Sequence, residues 1–151
     1  MRQLIRVEPL ETTAIEVHGA KFVVPTEVEI LRIRAVLILK RNATRDCLDT
    51  AALIDDMGRE DTVEALERFD LLYPQPNAQF ALTPLQVQLA DPLPYDLDAL
   101  ELPKYKDLDP KWHDWHNVTG ACRQCSIWIL QDIITAQRTI RGALGEEPRP
   151  G

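Results

Sequence analysis

The sequence lacks the features that mark several large classes of protein. It has no run of about 18 apolar residues that would predict a transmembrane helix. Residues Met1–Glu8 contain no apolar stretch followed by small residues, so no secretory signal is expected. Three cysteines, an odd number, argue against a disulfide framework and fit a reducing compartment. We therefore predict a cytoplasmic, globular protein that makes no contact with a membrane.

The overall charge narrows the choice of partners. The net charge of −7 argues against broad attraction to nucleic acid or to an anionic membrane. A local basic surface is still allowed, because five basic residues fall between Arg32 and Arg45. With 151 residues, of which 45% are hydrophobic, the chain is long enough to bury the core of one compact domain.

The order of the segments predicts an α+β fold that is mainly α. Strands are expected at Leu4–Glu8, Ala14–Val17 and Lys21–Val24, with a hairpin turn at His18-Gly19-Ala20. Two or three strands do not form a stable sheet by themselves. We therefore expect the hairpin to be the remnant or the edge of a larger sheet, or to be covered by the helices. The segments are the N-terminal strands (1–24), a helical core (25–90), an extended acidic and proline-rich connector (91–111) and a long C-terminal helix (112–145).

Capping residues predict where the helices of the core begin. Thr26 is placed to cap a helix that is apolar on most sides as far as Leu39, which is typical of a central core helix. Thr44 is placed to cap a second helix that ends near Gly58. A third helix is expected from about Asp61 to Leu72, and a short fourth one from Thr83-Pro84 to Ala90.

A group of charged residues stands out at the junction of the first two helices. Arg34 has apolar neighbours three and four residues away, so its guanidinium should pair with a carboxylate, for which Asp46 and Asp49 are the nearest candidates. One interpretation is a salt-bridge clip that locks the two helices together. The other is a phosphate-binding cluster that also includes Arg45.

The same residues carry a resemblance to a known family. Pro25-Thr-Glu-Val-Glu-Ile-Leu-Arg-Ile-Arg-Ala, followed by Lys40-Arg-Asn-Ala-Thr-Arg-Asp-Cys-Leu-Asp, resembles AbiEii-type nucleotidyltransferases, which are bacterial toxins of type IV toxin–antitoxin and abortive-infection systems. Arg34 takes the place of that family's lysine, and Arg45, Asp46 and Asp49 match its Arg-Asp-x-x-Asp signature. The resemblance implies that Arg34 and Arg45 bind nucleotide phosphates. It implies catalytic roles for Asp46 and Asp49 in orienting Arg45 or assisting the incoming hydroxyl.

The chain departs from the family in the residues that would hold the metal. Nucleotidyl transfer needs a Gly-Ser or Gly-Gly turn at the start of a helix and carboxylates for Mg²⁺, and nothing before Pro25 supplies them. We therefore expect this chain to correspond to the C-terminal part of such a protein. Whether it is an enzyme stays open, and no cofactor is expected for the chain alone. Mg²⁺ and NTP would bind only if a partner completed the site. Expected partners are the missing N-terminal half, an antitoxin or a second copy, with RNA as a possible acceptor.

The C-terminal region suggests a function of a different class. Apolar or small residues recur there at alternating spacings of four and three, which predicts a helical stripe. The stripe consists of Trp115, Thr119, Cys122, Ser126, Ile129, Ile133, Ala136 and Ile140. The alternative to the nucleotidyltransferase is a non-catalytic module that binds a protein partner, or itself, through this stripe.

Two further groups in the same region have a functional and a structural interpretation. His113, His116, Cys122 and Cys125 are suitable ligand types for zinc, but the cysteines fall within the helical stripe, so core cysteines are favoured and no metal is expected. The three tryptophans can stack bases, yet at helical spacing they are favoured as packing residues.

Overall fold

The computed structural model describes residues 4–76 and 79–137, and it confirms an α+β fold that is mainly α. A hairpin of β1 (Thr12–Val17) and β2 (Ala20–Pro25) comes first. Helices α1 (Glu27–Lys40), α2 (Thr44–Glu67), α3 (Phe69–Leu72) and α4 (Leu82–Ala90) follow. After 3₁₀-helices at Ala99–Lys104 and Pro110–His113 come α5 (Trp115–Trp128) and a π-helix at Ile129–Ile134.

The hairpin forms as predicted, whereas the first predicted strand does not. Strands β1 and β2 pair antiparallel around His18 and Gly19, whose φ angles of 52° and 80° suit a tight two-residue turn. The Leu4–Glu8 segment is not a strand and contacts the helical body instead: the Leu4 side chain is buried in the core, and the backbone N–H of Val7 donates to the carbonyl of Leu72 at 3.1 Å.

Helix α1 begins as its capping signal predicts. The hydroxyl of Thr26 accepts a hydrogen bond from the N–H of Glu29 at 3.2 Å. Leu31, Ala35 and Ile38 are buried against the rest of the core. Val28 and Val36 are only partly buried, so α1 has one face that is less covered than its composition predicts.

Helix α2 joins the second and third predicted helices across a kink. Gly58 has a φ of 81°, which glycine adopts without steric cost, and the helix resumes directly after it. The predicted cap, Thr44, is the first helical residue instead. Its N–H and its hydroxyl both donate to Oδ1 of Asp96, at 2.7 and 2.8 Å, so a carboxylate from the distant connector caps this helix.

The connector is attached to the body and does not run extended throughout. It contains the 3₁₀-helix Ala99–Lys104, and the side chain of Leu102 is fully buried. The backbone N–H of Tyr95 donates to the carbonyl of Asn42, and the amide of Asn42 donates to Leu93. The sequence pattern missed this because the helix end that the connector contacts is distant in the sequence. Without that partner, acidic residues between prolines are expected to be solvated.

The predicted long helix is divided. Asp114 leaves the helical conformation and caps α5 by accepting from the N–H of His116 at 3.0 Å. Within the stripe, Cys122, Ser126, Ile129 and Ile133 are buried, and α5 packs against α2 and α4. Ala136 is exposed, and Ile140, like the rest of the prediction beyond residue 137, lies outside the described residues.

Candidate functional site

The four residues of the predicted cluster separate into two groups: Arg34, Arg45 and Asp49 contact one another, whereas Asp46 pairs with another residue. Asp49 lies between two arginines: its Oδ2 is 3.2 Å from Nη1 of Arg34, and its Oδ1 is 3.3 Å from Nε of Arg45. Because Arg34 lies on α1 and Asp49 on α2, this contact has the geometry of the salt-bridge clip. Arg45 additionally lies over the ring of Tyr105, at 5.9 Å.

Asp46 is separate from this group and faces a different arginine, Arg41. Its buried carboxylate accepts two hydrogen bonds from Arg41, at 2.8 Å from Nε and 2.7 Å from Nη2. The carboxylate also accepts from the N–H of Ala43 at 3.2 Å. At the third position of α2 a carboxylate naturally reaches back to the cap residue, so Asp46 closes the turn between the helices. The hydrogen bonds and charge of Asp46 raise the pKa of Arg41.

The groove beside Arg34 is more acidic than the resemblance implies. It is lined by Ile30, Arg34, Asp49, Ala52, Leu53 and Asp56. At its edge Glu27 shares a hydrogen bond with Asp56, and this contact, together with the negative charge nearby, raises the pKa of Glu27. An arriving phosphate would meet arginines already paired with Asp49 and a further acidic pair beside them, an arrangement that favours a cation over an anion.

A buried ion network, which the sequence patterns did not single out, lies on the other side of α1. The guanidinium of Arg32 is almost fully enclosed and donates to the carbonyl of Ala65 at 2.6 Å. It is 3.3 Å from a carboxylate oxygen of Glu29 and 2.9 Å from one of Glu11. Glu29 also accepts from Nη2 of Arg6 at 2.9 Å. The spacing of Glu29 and Arg32, three residues apart on one helix, was the available signal.

This network holds the base of the hairpin. The N–H of Glu11, just before β1, donates to the carboxylate of Glu29 at 3.3 Å, and the N–H of Thr26, just after β2, donates to the carbonyl of Glu11 at 3.0 Å. Arg6 also lies over the ring of Tyr73 at 5.7 Å. The charges are therefore paired and hydrogen-bonded as burial requires, and they fix where the hairpin leaves the body.

The four residues of the zinc alternative do not come together as a ligand set. Cys122 and Cys125 are buried, and burial raises the pKa of the Cys125 thiol to about 12 and that of Cys122 well above its usual value. His116 is exposed, and residues 4–76 and 79–137 contain no group of three or more His, Cys, Asp or Glu placed to hold a metal ion. Buried thiols of this kind behave as small apolar side chains.

A cleft at the start of α5 brings together residues that sequence reasoning treated separately. It is lined by Asp55, Lys111, Trp112, His116, Asn117, Gly120 and Ala121. The Lys111 ammonium lies 4.9 Å from the centre of the Trp112 ring and bonds to Asp55 across the cleft. Trp112 is buried, and Trp115 and Trp128 pack against the core, as the packing interpretation predicts.

Comparison with known proteins finds similarity to MmpL11 transport proteins. The chain is 32% identical to the heme uptake protein MmpL11 of Mycobacterium tuberculosis over 130 residues, which are 84% of the chain and 13% of that protein. It is 30% identical over 127 residues to the mycolic acid-containing lipids exporter MmpL11 of Mycolicibacterium smegmatis, covering 82% of the chain and 13% of the relative. The probable transport protein MmpL11 of Mycobacterium leprae is 30% identical over 130 residues. The chain thus spans about an eighth of the length of these relatives.

These similarities overturn the functional interpretation drawn from the short motif. The predicted membership in the AbiEii-type nucleotidyltransferases, with its toxin–antitoxin and abortive-infection roles, is wrong, because the similarity over most of the chain is to MmpL11 transport proteins. The alternative, a module that binds through the C-terminal stripe, also fails, since the central residues of that stripe are buried in the core.

Neither of the other comparisons points to a family. No family model matches the chain, and no solved structure does. In the described part of the chain, no helix is both long and apolar enough to cross a membrane.

Proposed function

We propose that this chain serves MmpL11-type transport as a folded module that does not itself form the path through the membrane. The observation that carries the proposal is the similarity over 84% of the chain to a segment that makes up 13% of a transport protein. A segment of that size can contribute binding or regulation, while translocation belongs to other parts of the machinery.

The structure supports a module with its own core. Helices α2, α4 and α5 pack around buried residues such as Leu48, Leu85 and Cys122. The three cysteines are unpaired thiols buried in that core. This state suits a reducing environment, so the proposal places the module on the cytoplasmic side.

Exchange of the matching segment tests the proposal. The segment of the Mycolicibacterium smegmatis exporter that aligns with this chain is deleted, or is replaced by this chain, and export of mycolic acid-containing lipids is measured. We expect the deletion to reduce export and the replacement to restore it. A matched control replaces the segment with the Leu48→Asp variant, which cannot keep its core and should fail to restore export.

Two outcomes would contradict the proposal. Export that is unaffected by the deletion would show that the segment has no part in transport. A replacement that is inserted and folded but restores no export would show that this chain has lost the function of the related segment.

The cleft beside His116 favours a second candidate function, the binding of heme as cargo. His116 is exposed at a cleft walled by Trp112, and a Cβ added to Gly120 would meet nothing within 4 Å. An accessible imidazole is a common axial ligand of heme iron, and the Trp112 indole lines the wall of the cleft beside it. One relative carries the name heme uptake protein.

Titration with hemin tests this second function separately. We expect the purified chain to shift the Soret band with a stoichiometry near one, and the His116→Ala variant to lose the shift. The matched control is His18→Ala, which removes an exposed histidine from the hairpin turn and should bind as the unmodified chain does. Equal binding by both variants, or no shift in the unmodified chain, would refute a site at His116.

A further inference from the structure

The hairpin presents an apolar surface that the described helices do not cover. In the register of the two strands Ile15 lies opposite Phe22 and Val17 opposite Ala20, so these four side chains share one face. Ile15 is 42% exposed and Phe22 is 52% exposed. A two-stranded hairpin by itself is marginally stable in water, so a surface of this kind calls for further strands or a cover.

The two edges of the hairpin differ in their protection. Lys21 and Pro25 lie on β2, and both are residues that blunt a strand edge against further pairing. Strand β1 has no proline, and Glu16 is its only charged residue. Among the described residues the sheet contains only these two strands, so the outer edge of β1 is open.

Alternate residues of β1 direct their backbone groups to that open edge. A two-residue turn closes on a hydrogen-bonded pair, here Val17 and Ala20. Hydrogen-bonded and non-hydrogen-bonded pairs then alternate away from the turn. Thr12, Ala14 and Glu16 therefore point their N–H and C=O groups outward, where they are available to another strand.

We propose that β1 pairs antiparallel with β1 of a second copy of this chain, with Ile15 opposite Ile15, to form a four-stranded sheet. In this register the outward groups of Ala14 meet those of Glu16 in the other copy, as an antiparallel ladder requires. One face then carries an unbroken row of Phe22, Ile15, Ile15 and Phe22. No like charges face each other, since each Glu16 lies opposite an alanine.

The exposure of the hairpin leaves its strands accessible to a second copy. Both strands are exposed along most of their length, and the ion network of Arg6, Glu29 and Arg32 fixes the hairpin at its base. Because the paired strands run in opposite directions, the two bodies lie at opposite ends of the four-stranded sheet. The pairing does not involve the C-terminal stripe.

Sedimentation velocity over a range of concentrations tests the pairing. The mass is expected to rise from 17.2 kDa towards twice that value as the concentration increases. Ala14→Pro removes an outward N–H and should lower the association constant at least tenfold while the helical circular dichroism is unchanged. Ala14→Thr, which keeps the N–H at the same position, is the matched control and should associate like the unmodified chain.

Cross-linking tests the register directly. The Ile15→Cys variant should form a disulfide-linked dimer under mild oxidation, because opposing residues at this spacing have the geometry that a disulfide needs. The Val17→Cys variant should not, since residue 17 would lie opposite residue 13 of the other copy. The three natural cysteines are buried and do not compete. A monomer at every concentration, capture by a different protein in place of self-association, or equal cross-linking of both variants would overturn the proposal.

Discussion

Two arginines that lie two residues apart on α1 differ in their exposure to water. The side chain of Arg32 is 2% exposed, and it is held by Glu29, by Glu11 and by the carbonyl of Ala65. The side chain of Arg34 is 32% exposed and makes a single ion pair with Asp49 at 3.2 Å. Sequence neighbours suggested that Arg34 was the enclosed one, because the residues three and four positions from it are all apolar, whereas Glu29 lies three positions before Arg32.

The difference shows what burial demands of a charge. An enclosed guanidinium must have several partners, because the cost of removing it from water is met only by paired charge and hydrogen bonds together. A partly exposed guanidinium remains hydrated and needs little from its partner. The buried network therefore carries stability and positions the hairpin, whereas the exposed pair is a modest link between α1 and α2.

The largest expected effect comes from breaking the buried network at its centre. The Glu29→Ala variant leaves Arg32 buried without its helix partner and removes the main contact of Arg6, so we expect a loss of about 3 kcal/mol in the free energy of unfolding. Urea denaturation followed by circular dichroism measures it. The double variant Glu29→Leu with Arg32→Met removes the buried pair together and should recover most of the loss. A loss below about 1 kcal/mol for Glu29→Ala would contradict the assignment of this network as the stronger one.

The Arg41–Asp46 pair should show an intermediate effect. Asp46→Asn leaves a buried polar group that cannot accept both hydrogen bonds of Arg41, and we expect a loss of about 1–2 kcal/mol in the free energy of unfolding. Thermal unfolding of the variant beside Asp55→Asn, an exposed carboxylate further along α2, provides the comparison. Equal melting temperatures for the two variants would show that the buried Arg41–Asp46 pair adds no more stability than an exposed carboxylate does.

The exposed clip should show a small effect. A double-mutant cycle with Arg34→Ala and Asp49→Ala should yield a coupling of about 0.5 kcal/mol that declines as salt is added. The cycle is measured by urea unfolding at low and high ionic strength. Coupling as large as the loss at Glu29, or coupling insensitive to salt, would mean that the exposed pair behaves like the buried one.

The smallest effect concerns Glu27 and depends on pH. Its pKa is raised in the folded protein, first by the hydrogen bond with Asp56, so the folded state binds this proton more tightly than the unfolded chain does. The contribution is therefore most favourable below the ordinary value of 4.5 and is lost as the pH rises through the folded pKa. Glu27→Gln should raise the melting temperature slightly at neutral pH and have no such benefit at low pH. A benefit of the same size at both pH values would rule out titration as its cause.

Local signals predicted the elements whose causes lie within a few residues. The hydroxyl of Thr26 caps α1, His18 and Gly19 form the turn of the hairpin, and Gly58 interrupts α2, each as the sequence indicates. Capping and turn formation are decided by groups three or four residues apart, so a short window contains all of their partners. The prediction for the connector was wrong because Asp96 contacts Thr44, which lies 52 residues away in the sequence and therefore outside any short window.

The candidate site, too, was predicted from the sequence only in part. The Arg-Asp-x-x-Asp pattern located a real cluster of charges, and Asp49 does lie between Arg34 and Arg45. The pattern did not determine which carboxylate faces which arginine, and Asp46 turned to Arg41. As evidence of ancestry, a motif of a few residues was outweighed by similarity to MmpL11 proteins over 130 residues.

By itself, then, the sequence determined the fold class, the cap of α1 and the turn of the hairpin, because these depend on short-range hydrogen bonds and on the pattern of apolar residues. The tertiary structure alone decided which arginine is enclosed, which carboxylate caps which helix, and that the central residues of the C-terminal stripe are covered. On α1, where apolar residues surround the whole helix, periodicity does not distinguish a buried face from an exposed one. Only the positions of the hairpin, α2 and the N-terminal segment place Arg32 inside and leave Arg34 in contact with water.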